Sequence, residues 1–141
     1  MSAIDLSRIA VGTRLPSLTV HITRETLVRY AEASTDFNPI HYSSFYAAQV
    51  GLPGVIGHGM LTMGTALRVV TDWVGDPARV RSYFVRFTKP VVVPDDADGT
   101  ELVFGGVVEA IEDALVTIAL EAVSGDVKVL GAARAVVDLA E

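Results

Sequence analysis

The sequence predicts an α+β fold, in which a strongly curved antiparallel sheet wraps around one long, buried helix. Three observations support this prediction. A long apolar segment between Gly59 and Val74 has helical spacing, one strand and short helical segments precede it, and a run of alternating segments follows it. The chain has 141 residues, which indicates one domain over residues 1–141.

The first half of the chain alternates strand, helix and turn. Residues 13–22 contain the alternation of a strand, and Thr23 is a suitable N-cap for a helix over residues 24–33. Residues 35–41 are predicted to form a turn, because Asn38-Pro39 disfavours a continuing helix. A short helix beginning at Ser43 or Ser44 then extends to residue 48, before the breakers at residues 51–54.

The second half contains the central helix and the remaining strands. The helix is predicted over residues 59–74 and is expected to be buried over most of its circumference, since most of its faces are apolar. The apolar positions that define the helical spacing are Met60, Met63, Leu67, Val70 and Val74. Strands are predicted over residues 80–87, 101–111, 115–123 and 127–138, with turn residues between them.

Composition limits the classes of function. Hydrophobic residues make up 50% of the chain, yet no uninterrupted apolar stretch approaches the ~18 residues of a membrane span. A net charge of −6 argues against nonspecific binding of nucleic acid. The N-terminus lacks the basic and apolar regions of a signal peptide, so a cytoplasmic location is expected. The high apolar content predicts a further hydrophobic surface, either a subunit interface or a tunnel for an apolar ligand.

One short turn contains the residues best suited to catalysis. It includes Asp36, Asn38 and His41, with Pro39 restricting the backbone between them. An acid and an imidazole beside the glycine-rich helix start at Gly59 suit proton transfer next to a polarised carbonyl group. This combination favours the addition or removal of water across an activated carbon–carbon bond.

These residues resemble the signature of the MaoC-like (R)-specific enoyl hydratases and (3R)-hydroxyacyl dehydratases. The matching positions of the signature are Tyr30, Ser34, Asp36, Asn38, Pro39, Ile40, His41 and Ala47. Residues 58–61 and 85–94 resemble the family's helix start and its characteristic strand. The length and residues 73–77 look closest to the B subunit of mycobacterial-type (3R)-hydroxyacyl-ACP dehydratase. One departure is Thr35, which occupies a position where the family usually has glycine.

The resemblance implies a cofactor-independent hydro-lyase with the hot-dog fold and no metal. His41 would be the base at C2 of a 3-hydroxyacyl thioester, and Asp36 would protonate the departing 3-hydroxyl group or orient water. The backbone N–H at Gly59 would polarise the thioester carbonyl, while Asn38 and Pro39 would support the turn. The substrate would be an acyl-CoA or an acyl-ACP, and the protein would form a homodimer or a heterodimer with a paralogous hot-dog subunit.

Other interpretations of these residues remain open from the sequence. His41 could cap the next helix, Asp36 could stabilise the turn, and His58 is expected to pack or cap. The candidates for contacts with CoA phosphates or an acidic carrier protein are Arg68, Arg79, Arg81, Arg86 and Lys89. The alternative functions are an acyl thioesterase on the same fold and a substrate-binding subunit of a heterodimeric dehydratase. The sequence does not identify the acyl chain length, the thioester carrier or the pathway.

Overall fold

The computed structural model of the chain describes residues 4–140, and its elements follow the predicted order. The helices are α1 (Arg24–Ser34), α2 (Ser44–Gln49) and α3 (Gly59–Val74). The strands are β1 (Arg14–Ile22), β2 (Val80–Phe87), β3 (Thr100–Glu112), β4 (Leu115–Ser124), β5 (Val127–Lys128) and β6 (Leu130–Asp138). Single 3₁₀ turns lie at Leu6–Arg8, Pro39–His41 and Pro77–Arg79.

The strands of residues 4–140 form one antiparallel sheet. Its order is β1-β3-β4-β6-β2, and the short strand β5 pairs with β4 beside this path. Strands β1 and β2 are therefore the two edges, and each has one neighbour within the chain. The curved sheet and the central helix confirm the predicted α+β hot-dog fold.

The helix boundaries agree with the sequence because local signals fix them. The Thr23 hydroxyl accepts a hydrogen bond from the Thr26 N–H at 3.3 Å, which caps α1. Ser43 caps α2 through the Tyr46 N–H at 3.1 Å. Helix α3 ends at Gly75, whose φ of 73° is the left-handed conformation that glycine adopts easily at the end of a helix.

The core lies between α3 and the concave face of the sheet. The helix buries Thr62, Ala66, Val69, Val70 and Val74, and alternate side chains of β3 and β4 face them. At Gly106 of β3, a Cβ atom would lie 3.2 Å from Val69 Cγ1 and 3.3 Å from Ile118 Cγ2. The missing side chain lets the helix rest directly on the sheet, where each fully buried aliphatic side chain contributes about 1.5–3 kcal/mol.

The expected burial of α3 over most of its circumference is wrong for the single chain. Met60, Gly64, Arg68 and Asp72 form an exposed stripe at four-residue spacing. The sheet covers only one side of the helix, and Met63 and Leu67 are half-buried at the boundary. Met60 is one of the apolar positions that define the helical spacing, yet it lies on the exposed side of the helix. An apolar side chain alone does not reveal which face the sheet covers.

The single strand predicted over residues 127–138 is also wrong, because the chain breaks it at Val129. The Val129 N–H donates to the Ala122 carbonyl of β4 at 3.0 Å, while its own carbonyl accepts from Thr88 N–H at 3.1 Å. The backbone of Val129 therefore forms one hydrogen bond with β4 and one with the residue that follows β2. Strand β5 pairs with β4, and β6 begins beside the end of β2 at Leu130.

None of the helices within residues 4–140 has the length and apolar character that a membrane crossing requires. The predicted domain of residues 1–141 includes residues 1–3 and 141, which lie outside the described residues. Its extent over the full chain stays a prediction, as does the cytoplasmic location.

Candidate active site

The turn between α1 and α2 begins with a residue in an unusual backbone conformation. Thr35 follows α1 with φ 60° and ψ 17°, which is the left-handed region that glycine adopts at lowest cost. Thr35 takes this conformation even though its side chain is β-branched. The Ser34 hydroxyl stabilises the turn, since it donates to the Tyr30 carbonyl at 2.7 Å and accepts from the Asp36 N–H at 3.3 Å.

Replacing Thr35 with glycine is expected to raise the free energy of unfolding by about 0.5–1 kcal/mol. Relief of the left-handed strain, roughly 1–2 kcal/mol, exceeds the extra chain entropy that glycine loses on folding. Thermal and urea unfolding of T35G beside the wild type would measure the change. The control is T71G, in the interior of α3, where glycine should destabilise the protein. A T35G variant that is less stable than the wild type would contradict this account.

The predicted supporting residues hold the turn through their backbones and side chains. The Asn38 side chain accepts from the Ile40 N–H at 3.2 Å, and the Asn38 N–H donates to Asp36 Oδ1 at 3.2 Å. Pro39 occupies the first position of the 3₁₀ turn, where its fixed φ suits the backbone. The His41 N–H then donates to the Asn38 carbonyl at 3.0 Å. This network places Asp36 and His41 at opposite ends of one compact turn.

The His41 ring is 8% exposed, and its orientation is determined by a backbone contact. His41 Nδ1 lies 2.7 Å from the Ile56 carbonyl oxygen, which can only accept a hydrogen bond. Nδ1 therefore carries the proton in the neutral ring, and Nε2 has the free lone pair. That Nε2 atom lies 3.7 Å from Asp36 Oδ2. The lone pair needed by a general base thus lies on the side of the ring that faces the carboxylate.

The Asp36 carboxyl group is open to solvent. Its side chain is 51% exposed in the single chain. The neighbouring Phe37 is exposed as well. The single chain therefore leaves the carboxyl group of this candidate acid in contact with water.

The start of α3 faces the same space. Gly59 is the first residue of the helix, and the N-cap His58 makes no capping hydrogen bond through its side chain. Unpaired N–H groups at a helix start favour an oxygen that carries negative charge. A Cβ atom at Gly59 would lie 3.1 Å from the Phe87 ring. The absence of a side chain at Gly59 therefore leaves room for the Phe87 ring against the start of the helix.

His58 is the site residue that sequence reasoning underestimated. Its ring is 1% exposed and stacks on the His41 ring, with centroids 3.7 Å apart and an interplanar angle of 22°. His58 Nε2 lies 3.1 Å from the Asp36 carbonyl oxygen. Packing was expected and is confirmed, but the predicted alternative of side-chain capping is wrong. The sequence feature that could have identified His58 is its position directly before Gly59, the first residue of the long helix.

A cavity of about 500 Å³ connects these groups. Its inner wall is apolar and buried, and it includes Val91 and Val129 beside Thr62. Its outer rim contains exposed Met60 and Phe87. The residues at this rim and around the turn that complete the site are Asp36, His41, Gly59 and Lys89. The volume lies within the range of about 300–1,000 Å³ that small-molecule sites occupy.

Three of the five basic candidates already bind partners within the chain. Arg68 pairs with Asp72 at 3.7 Å, and Arg81 pairs with Asp138 at 2.8 Å. Arg79 donates to the Asp138 and Ala140 carbonyls at 3.0 and 2.9 Å. Of the five, Lys89 is the one that lines the cavity. Lys89 is therefore the candidate whose position allows it to contact a ligand in this cavity.

Asp36, His41 and His58 also form a cluster whose potential metal-binding atoms lie within 4.8 Å of one another. Their orientation does not suit a shared ion, because the imidazoles are stacked and their in-plane lone pairs do not converge. The Nδ1 atom of His41 and the Nε2 atom of His58 are already directed at carbonyl oxygens. The geometry therefore does not favour coordination of one metal ion by these three side chains.

Curated relatives match parts of this chain. It is 30% identical over 108 residues to the 3-oxo-4,17-pregnadiene-20-carboxyl-CoA hydratase beta subunit of Mycobacterium tuberculosis, covering 77% of this chain and 80% of that protein. It is 35% identical over 88 residues to the fatty acid synthase subunit beta of Saccharomyces cerevisiae, covering 61% of this chain. The chain spans only 4% of the length of that synthase subunit.

Solved structures extend the likeness to nearly the whole chain. A MaoC-like dehydratase superposes with a TM-score of 0.90 at 34% identity, over 95% of this chain and 42% of that one. The HadBC (3R)-hydroxyacyl-ACP dehydratase complex of Mycobacterium tuberculosis superposes with a TM-score of 0.69 at 18% identity, over 92% of this chain and 97% of that one, which is a likeness of fold. The profile of the MaoC-like domain matches residues 9–125. The profile match over most of the chain and the 30% identical mycobacterial relative show that this chain belongs to the MaoC-like dehydratase domain family.

Proposed function

We propose that the chain interconverts (3R)-3-hydroxyacyl thioesters and trans-2-enoyl thioesters. The observation that carries the proposal is the pairing of the free His41 Nε2 atom with Asp36 Oδ2, 3.7 Å apart, at the cavity that also contains the start of α3. Family membership supports hydro-lyase chemistry on hydroxyacyl thioesters. The assignment of each residue follows from its position around the cavity.

In the dehydration direction, His41 Nε2 removes a proton from C2 of the hydroxyacyl group. The electrons of the broken C2–H bond form the C2–C3 double bond as the C3–O bond breaks. Asp36 gives a proton to the departing hydroxyl group, which leaves as water, and then recovers a proton from His41. Hydration reverses these steps. Because Nδ1–H is anchored on the Ile56 carbonyl, the ring presents the same nitrogen in every cycle.

In this proposal the thioester carbonyl lies at the N-terminus of α3. The N–H of Gly59 can donate to its oxygen, and the helix dipole stabilises the negative charge that develops when the C2 proton leaves. No side chain caps this helix start, so its N–H groups are available to a ligand. The apolar inner wall would accept the acyl chain, and Lys89 lies where a thioester carrier would enter.

A dimer is expected to complete this site. Strand β2 is an edge of the sheet and exposes Phe84 and Phe87, and the second of these lines the cavity. An unpaired edge with exposed aromatic rings is suited to pairing with another sheet. A second copy or a paralogous hot-dog subunit at this edge would cover the rim and help to desolvate Asp36. The mycobacterial relative is a beta subunit by name, which supports the heterodimer as the alternative to a homodimer.

The direct test is hydration of trans-2-enoyl-CoA of several chain lengths by the purified chain, followed by the loss of ultraviolet absorbance of the conjugated enoyl thioester. Activity with formation of the (3R)-hydroxyacyl product supports the proposal. Release of free thiol without hydration would instead identify a thioesterase. A folded chain that hydrates neither enoyl-CoA nor enoyl-ACP, alone or with a paralogous partner, would contradict the proposal. Activity that requires catalytic residues of the partner would identify a binding subunit.

Replacing Lys89 with alanine is expected to raise KM for the enoyl-CoA about fivefold and to leave kcat nearly unchanged. A partly exposed ionic contact is worth about 1 kcal/mol, and it acts on binding of the remote phosphates. Steady-state kinetics at two salt concentrations would show a weaker salt dependence of KM in K89A. The matched control is K128A, because Lys128 is exposed and pairs with Glu121 at 3.8 Å on another surface. Equal KM values in K89A and K128A would exclude the contact.

A further inference from the structure

We propose that His58 is a positioning residue that, as a neutral imidazole, holds Asp36 and His41 in the arrangement needed for catalysis. This inference rests on the proposed hydro-lyase function. One buried ring contacts both residues, through a hydrogen bond to the backbone of Asp36 and through stacking on the ring of His41. It is also the residue directly before Gly59, so the same side chain connects all three parts of the site.

The hydrogen bond determines which nitrogen of His58 carries the proton. The Asp36 carbonyl oxygen only accepts, so Nε2 must be the N–H that donates across 3.1 Å. The other nitrogen, Nδ1, is buried and has no hydrogen-bond partner among the described residues. A buried polar atom without a partner is costly, which indicates that this ring is kept for a reason other than stability. Its bond to Asp36 fixes the backbone that carries the carboxylate.

The stack on His41 requires that His58 stay neutral. The titratable side chains that face the His58 ring are His41, Asp36 and Tyr30, the last at a centroid distance of 4.8 Å. Burial lowers the pKa of His58 below its ordinary value, and the His41 charge lowers it further, against the hydrogen bond to Asp36 and its charge. The position at the N-terminus of α3 also disfavours a cation.

Protonation of His58 would therefore disrupt the site. Its Nδ1 would become a buried donor without an acceptor, and a second positive charge would lie against the His41 ring. Activity would then require both imidazoles to be neutral. Protonation of His41 alone already removes the base. If His58 must also be neutral, the active form has lost two protons, and the rate should fall more steeply on the acid side of the pH–rate profile.

The kinetic test compares two variants that each keep one of the two contacts. H58Q keeps an amide donor for the Asp36 carbonyl, and H58F keeps an aromatic ring for the stack. We expect H58F to lose on the order of tenfold in kcat with KM changed less than twofold, and H58Q to recover part of this loss. The acid limb of log kcat against pH should approach a slope of 2 in the wild type and a slope of 1 in H58Q. The control is H21Q, because His21 is exposed on β1.

Nitrogen NMR of the imidazoles tests the inference independently of turnover. We expect wild-type His58 to show the neutral Nε2–H form at pH 6, where an ordinary imidazole with a pKa near 6.5 is mostly protonated. H58Q, which lacks the ring that stacks on His41, should alter the population of the Nδ1–H tautomer of His41. A His58 cation at pH 6, or folded variants with wild-type kcat, pH slope and His41 tautomer, would overturn the inference. If the protein hydrates no enoyl thioester, the proposed function fails, and the NMR results alone test the role of His58. Failure of the proposed function can therefore be distinguished from failure of this inference.

Discussion

Replacing His41 with asparagine is expected to lower kcat/KM for enoyl hydration by about a thousandfold, within the range of 10²–10⁴ that a positioned general base contributes. Asparagine can place its amide N–H near the position of Nδ1, so it can keep the anchor on the Ile56 carbonyl. It has no basic nitrogen where Nε2 lies. The variant therefore removes the proton acceptor and preserves the hydrogen bond that orients the side chain.

Hydration of trans-2-enoyl-CoA under identical conditions would measure this loss. H21N is the matched control, because His21 lies on β1 and 59% of its side chain is exposed beside Glu101. We expect it to retain wild-type activity. Thermal unfolding of both variants would show whether the fold is kept. An H41N variant that is folded and retains more than about a tenth of wild-type activity would remove His41 from the role of base.

The fold could be predicted because the residues that begin and end the helices and the spacing of the apolar residues indicate the same elements. Helix α3 begins at Gly59 and ends at Val74, as predicted, because Gly75 ends it and its period is clear over 16 residues. Strand β2 also has its predicted bounds, Val80–Phe87. The break at Val129 was missed, since it depends on hydrogen bonds to Ala122 and Thr88 from different parts of the sheet.

The candidate site was predictable where its residues are neighbours in sequence. Asp36 and His41 share one turn, so their proximity follows from local geometry. His58 is 22 positions from Asp36, and its ring reaches the site because the loop before α3 is bonded to the turn. That bond joins the Ile56 N–H to the Ile40 carbonyl at 3.1 Å. Such tertiary contacts leave no period or spacing in the sequence.

The exposure of Asp36 shows the limit of reasoning from residue type. A catalytic acid is expected to be desolvated, yet half of this side chain is open in the single chain. The exposed rings of Phe84 and Phe87 lie on the edge strand β2, and Phe87 lines the same cavity. The missing desolvation and the exposed apolar surface would both be explained by a second subunit at this edge.

Replacing Asp36 with asparagine is expected to lower kcat by about a hundredfold to a thousandfold, with a smaller change in KM. The amide oxygen can still accept from the Asn38 N–H, so the turn is kept, but the group can no longer give or take the proton of the 3-hydroxyl. The same hydration assay measures the loss. D95N is the control, because Asp95 lies in the exposed loop before β3.

The double variant H41N/D36N tests whether the two residues act as one unit. Residues that transfer a proton within a single step are strongly non-additive, because the first substitution already removes the step that the second residue serves. We therefore expect kcat of the double variant to lie within about threefold of kcat of the slower single variant. If the two losses instead multiplied, to about 10⁵ or more, the residues would act independently. The 3.7 Å contact between His41 Nε2 and Asp36 Oδ2 would then carry no shared proton transfer.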